Sequence, residues 1–212
     1  MSLDKTLTDV RYAYRFIWEF QQRVLDTVRL ISEQFDDRIF YQWSNYKASP
    51  VTRTGTSPFS FVPEHFLPLY GASFLFLSAD PELAKLQKGN WMLEICVVPD
   101  TAHLKAYLAE MPFDPLVSDF GTPETTQSEI RLVAWKCHGE YPEGSSWHRD
   151  VWSSLDWPPS DEEGDIFTQC DGDIISIAVS RNMSQLSDRQ QIIEFSEEAK
   201  VCFYNKNAFI SM

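Results

Sequence analysis

The chain has 212 residues, of which 43% are hydrophobic and 14% aromatic, values that fit one globular domain over residues 1–212 and exclude wholesale disorder. Its formal charge of -13 opposes the basic surface needed to grip nucleic-acid phosphates, so direct nucleic-acid binding is not expected. No apolar run approaches the ~20 residues of a membrane span, and the opening MSLDKTLTD lacks the basic-then-apolar order of a secretory signal.

The first element is the clearest. From about Leu7 to Phe35, apolar side chains recur as Val10, Tyr14, Ile17, Phe20, Val24, Val28, Ile31 and Phe35, at the helical gaps of three and four. Arg11, Arg15, Glu19, Gln22, Asp26, Arg29 and Glu33 take the other face, with Arg15–Glu19 and Arg29–Glu33 at i,i+4. Thr6 or Thr8 is the expected N-cap. The stripe predicts a long amphipathic helix packed on a sheet, in preference to one paired with a partner helix.

RIFYQWSNY then reads as a strand on its alternation and aromatic density. KASPVTRTGTSPFSFVPEHFLPLYG, with four prolines and two glycines, is a long irregular connection. ASFLFLSA and WMLEICVV are strands, separated by DPELAKLQKGN as a short helix or turn. Asp100 and Thr101 cap a short helix, TAHLKAYLAEM, stopped by Pro112. SEIRLVAWKCH is a strand, and DGDIISIAVSR is a strand opened by an Asp-Gly turn signal. LSDRQQIIEFSEEAKVCFYNK closes the chain as a helix, with Ser187 as N-cap. The sum is an α+β fold: a largely antiparallel sheet of about five strands, with a long N-terminal helix and a C-terminal helix.

The common catalytic spacings are absent: no phosphate loop, no GxGxxG, no GxSxG elbow, no CxxC and no HExxH. Cys137, His138, His148 and Cys170 do not have ligand spacing, so no metal or cofactor is expected. Cys137 and His138 are neighbours on a strand and point to opposite faces, which prevents a thiol–imidazole dyad. Glu94, mid-strand, and Glu129-Ile130-Arg131 echo a carboxylate nuclease site, but the residue two beyond Glu94 is Cys96 rather than lysine. No catalytic residue is assigned. The four cysteines, Cys96, Cys137, Cys170 and Cys202, read as free thiols in a reducing compartment, the cytoplasm.

The segment from Gly139 to Asp173 holds ten acids and one base, Arg149, and so carries -9 of the -13. Trp147, Trp152 and Trp157 lie in it at five-residue intervals, a period that belongs to neither an α-helix nor a strand. Either the indoles anchor an acidic loop to the core, or some stay exposed as contact residues while the acids steer a basic partner. On the second reading the partner-binding residues are Trp147, Trp152, Trp157, Asp161, Glu162, Glu163 and Asp165. The expected role is a non-catalytic intracellular interaction or inhibitory protein, of immunity or adaptor type, that presents this surface to a basic protein. The alternatives are a hydrolase-type enzyme with a site near Ser49–Gly71 using Glu64 and His65, or a small-ligand binding module.

Overall fold

A computed structural model describes residues 2–45, 69, 71–102, 122–155 and 166–205. Helix α1 (Leu3–Ser32) is followed by strands β1 (Arg38–Asn45), β2 (Ala72–Ser78), β3 (Trp91–Val98), β4 (Glu129–Cys137), β5 (Ile166–Asp171) and β6 (Ile174–Asn182), and by helix α2 (Arg189–Asn205). The strands form one sheet in the order β1-β2-β3-β4-β6-β5, antiparallel at every pairing. The α+β class with an antiparallel sheet and terminal helices is therefore as the sequence implies.

The sheet has a sixth strand, β5, inside the stretch read as acidic loop. The Asp-Gly signal pointed to it: Gly172 sits at φ 56° in the turn between β5 and β6, a conformation glycine adopts without strain. A turn signal opening one strand implies a strand before it.

Helix α1 begins four residues earlier than its stripe suggested. Ser2 is its N-cap and accepts from the Lys5 N–H at 3.4 Å. Thr6 and Thr8, the expected caps, instead donate back to the Ser2 and Asp4 carbonyls within the helix. Helix α2 is capped by Asp188 rather than Ser187: the Asp188 carboxylate accepts from the Gln191 N–H at 2.9 Å, and the Gln191 side chain accepts from the Asp188 N–H. That reciprocal pair is a capping box, and it places the helix start one residue later.

The sheet is buried on both faces. On one face, Phe74, Leu93, Ile95, Ile130, Leu132 and Ile177 meet Val24, Val28 and Ile31 of α1 and Ile192, Phe195 and Phe203 of α2. Arg23 joins the helices by donating to the Leu186 and Ser187 carbonyls at 2.7 and 2.6 Å. On the other face, Leu75, Met92, Val133, Trp135 and Ile174 meet Trp147, Val151 and Trp152. Burial on both sides is why ASFLFLS and WMLEICVV read as near-continuous apolar runs.

Edge strand β1 is less covered. Its register slips between Phe40 and Gln42, and a bulge of this kind twists an exposed edge away from further pairing. Phe40 packs edge-on against Phe76 and Trp43 stacks on Phe74, yet both remain exposed.

Candidate functional site

The question raised by the tryptophan spacing is settled by one turn of π-helix, Trp147–Trp152. The Ser153 N–H donates to the His148 carbonyl at 2.9 Å, an i to i+5 bond. The wider π-turn keeps residues five apart on nearly the same side, where an α-helix would rotate them by about 140°, and Trp147 and Trp152 both pack on the sheet. Ser146 starts the turn: its hydroxyl accepts from the Arg149 N–H, and its own N–H donates to Asp150 at 2.7 Å. Arg149 closes the arrangement by pairing with Asp150 at 2.8 Å.

Trp147 is 2% exposed and Trp152 is 7% exposed. The reading in which these two indoles are surface contacts for a partner is therefore corrected: both are core anchors. The physical reason is that the second sheet face needs apolar cover, and a π-turn delivers two large side chains to it together. Trp157, Asp161, Glu162, Glu163 and Asp165 lie outside the described residues, as do Glu64, His65 and the rest of the Ser49–Gly71 connection except Leu69 and Gly71.

The two anchors are held by different acceptors. The Trp147 indole N–H donates to the Ala84 carbonyl at 3.1 Å. The Trp152 indole N–H donates to Glu94 Oε1 at 2.7 Å, and the Trp135 indole N–H donates to Glu94 Oε2 at 2.7 Å. Glu94 is fully buried. Burial pushes its carboxyl above the ordinary carboxylate range; the neighbouring Ser73 hydroxyl, the two indole bonds and the charge of Arg131 pull it back only in part. In the sequence Glu94 echoed a carboxylate nuclease pattern that Cys96 does not complete. Its place is structural: one carboxyl satisfies two indoles that would otherwise be buried without acceptors.

Beside Glu94 runs a polar row across four strands. Ser73 pairs with Cys96, Cys96 with Arg131 and Arg131 with Ser180, and all four are buried. Arg131 donates to Glu129 at 3.1 Å, so the acid-x-base echo is a partly buried ion pair. Burial, with Glu94 nearby, pushes the Cys96 thiol far above its usual value, the opposite of what a nucleophilic cysteine needs. Cys137 is also raised by burial and donates to the Gly139 carbonyl at 3.3 Å. His148 stacks on Trp152, with ring centroids 5.2 Å apart. Among the described residues no three His, Cys, Asp or Glu side chains gather where they could hold a metal ion. Nor is any helix there long and apolar enough to cross a membrane.

A different surface feature was not visible in the sequence. Between α2 and β6 lies an open groove of about 590 Å³, lined by apolar Val179, Ile193, Val201 and Cys202 and by the polar side chains of Arg181, Gln190, Glu194, Glu197 and Glu198. Arg181 pairs with Glu198 and Lys200 with Glu197, while Glu194 accepts only from the neutral amide of Gln190 among the hydrogen bonds seen there. Part of the apolar lining, Ile193 and Val201, comes from α2 residues outside its core-facing set of Ile192, Phe195, Ala199 and Phe203, while Val179 comes from β6. Helical periodicity alone gives no reason for that second set.

Fold and site together define an α+β protein whose sheet is sealed by helices on one side and by a tryptophan-bearing π-turn on the other. Residues 1–206 match the model of the PM0109 family, and the chain belongs to that family. No curated protein and no solved structure matches the chain.

Proposed function

We propose that the protein is a non-catalytic interaction or inhibitory protein that takes a basic, amphipathic segment of a protein partner into the groove between α2 and β6. The observation that carries this reading is the groove's chemistry, a lining in which apolar Val179, Ile193 and Val201 stand with three carboxylates, Glu194, Glu197 and Glu198, against one base, Arg181. A helix laid there would bury its apolar side and set lysine or arginine against Glu194. The formal charge of -13 supports the same partner by steering basic molecules toward the chain at long range. Cys96 and Cys137 are free thiols, which supports a reducing compartment, the cytoplasm. The buried, raised thiols and the occupied Glu94 carboxyl speak against a catalytic site at those residues.

The test is selection of displayed amphipathic peptides of about 15–20 residues against the purified protein, the length of a typical groove-bound helix. Enriched peptides should be basic, and their binding should weaken as salt rises. Ile193→Glu should weaken it by roughly 30-fold, the equivalent of about 2 kcal/mol at an interface centre. Enrichment of neutral or acidic peptides, or binding indifferent to Ile193→Glu and Glu194→Lys, would refute the proposal.

A further inference from the structure

Helix α1 carries one seam with two fates. Leu3, Leu7, Val10, Tyr14, Ile17, Gln21, Val24, Val28 and Ile31 follow one another at alternating gaps of four and three without a break, the repeat of a coiled-coil interface. From Val24 onward the seam is buried in the domain core. Before that it leaves the domain: residues 3–16 are exposed throughout except for the half-buried Thr8. Leu3, Leu7, Val10 and Tyr14 are 73%, 45%, 43% and 71% exposed, and Trp18, on the flank of the seam, is 75% exposed. An isolated arm of about five helical turns gains nothing from a heptad seam facing water.

We infer that the arm, residues 3–18, pairs antiparallel with the same arm of a second copy of this chain, forming a two-fold dimer. Charge is the first argument. The whole chain is strongly acidic, yet residues 3–18 hold two acids (Asp4, Asp9) and three bases (Lys5, Arg11, Arg15), so the arm carries a charge of only +1. An arm so close to neutral does not call for a strongly basic partner or an anionic membrane surface. Its charges are also ordered: Asp4 and Asp9 precede Arg11 and Arg15. Antiparallel pairing sets the acidic end of each arm against the basic middle of the other, and opposes the two helix dipoles.

The register follows from the seam. Leu3 of one copy layers on Tyr14 of the other and Leu7 on Val10, each layer repeated by the two-fold axis. Asp4 and Arg11 both lie one residue beyond a seam position, on the same flank, and face each other across the pair. Arg11 already leans toward the arm's N-terminus, donating to the Thr8 hydroxyl at 2.8 Å. Tyr12 and Phe16 point to the far side of the helix and take no part.

Area is the second argument. Covering the exposed parts of Leu3, Leu7, Val10 and Tyr14 removes at most about 500 Å² from each copy, or about 1,000 Å² in total, below the range of stable specific interfaces. The expected dimer is reversible, with dissociation in the micromolar range.

Sedimentation equilibrium from about 1 to about 200 μM spans that range. The intact protein should pass from monomer to dimer, and Val10→Glu with Tyr14→Glu should remain monomeric with an unchanged melting temperature. Phe16→Glu, on the far side, should dimerise like the parent. Asp4→Arg and Arg11→Asp should each weaken association by about tenfold or more, as like charges then meet across the interface. Mixing those two variants restores both opposite-charge contacts, so the mixture should associate more tightly than either variant alone. A parent that stays monomeric overturns the inference. So does a dimer that survives the seam substitutions, is lost with Phe16→Glu, or gains nothing from mixing.

Discussion

Replacing Glu94 with glutamine isolates the polar lock under the π-turn. The two side chains have nearly the same shape, so no cavity opens. Glu94 offers both oxygens to indole N–H groups at 2.7 Å; glutamine keeps one oxygen and turns an NH2 donor toward the other indole. Either Trp135 or Trp152 then loses its acceptor while still buried, at a cost of about 1–3 kcal/mol. In a chain of this size that lowers the melting temperature by roughly 2–12 °C.

The pH dependence sharpens the test. Burial raises the Glu94 carboxyl above its ordinary value of 4.5. A group raised on folding contributes stability in full below its unfolded value, and that contribution is lost as pH climbs through the folded value. Glutamine does not titrate. The stability gap between parent and Glu94→Gln, read from urea unfolding at several pH values, should therefore be largest below the ordinary value of 4.5 and narrow as pH rises above it. A gap that widens with pH would mean that the ionised carboxylate is the favoured form. No gap at any pH would mean that the two indole bonds contribute nothing.

Trp147→Ala should cost roughly 3–5 kcal/mol, because it empties a fully packed site and leaves the Ala84 carbonyl without its donor; a melting temperature close to the parent would show that the indole is not an anchor. Val24→Asp should destabilise by about 3 kcal/mol or more, since it puts an unpaired charge where α1 enters the core, and an unchanged thermal melt would refute that packing.

Much of the architecture follows from local pattern. The period of three and four made α1 a helix before any contact was known, and alternation with aromatic density marked β1. Asp-Gly marked the turn before β6. Where the sequence reading slipped, the competing signal was also local: Ser2 and Asp188 are better-placed caps than Thr8 and Ser187, and the Asp-Gly turn already required β5. Periodicity reports which side of an element is apolar. It does not report what covers that side. Trp147 and Trp152 look alike in the sequence whether they anchor the sheet or meet a partner, and only the i+5 bond of the π-turn turned both inward. The role of Glu94 is not legible in the sequence because its partners are remote: Trp135 is 41 residues away and Trp152 is 58. The seam of α1 is the plainest case. Its spacing is unbroken from Leu3 to Ile31, yet Val24, Val28 and Ile31 are core while Leu3, Leu7, Val10 and Tyr14 face water. Helical spacing is set by bonds between residues four apart, and every part of the seam satisfies it. Burial depends on where the sheet and α2 end, which residues far along the chain decide.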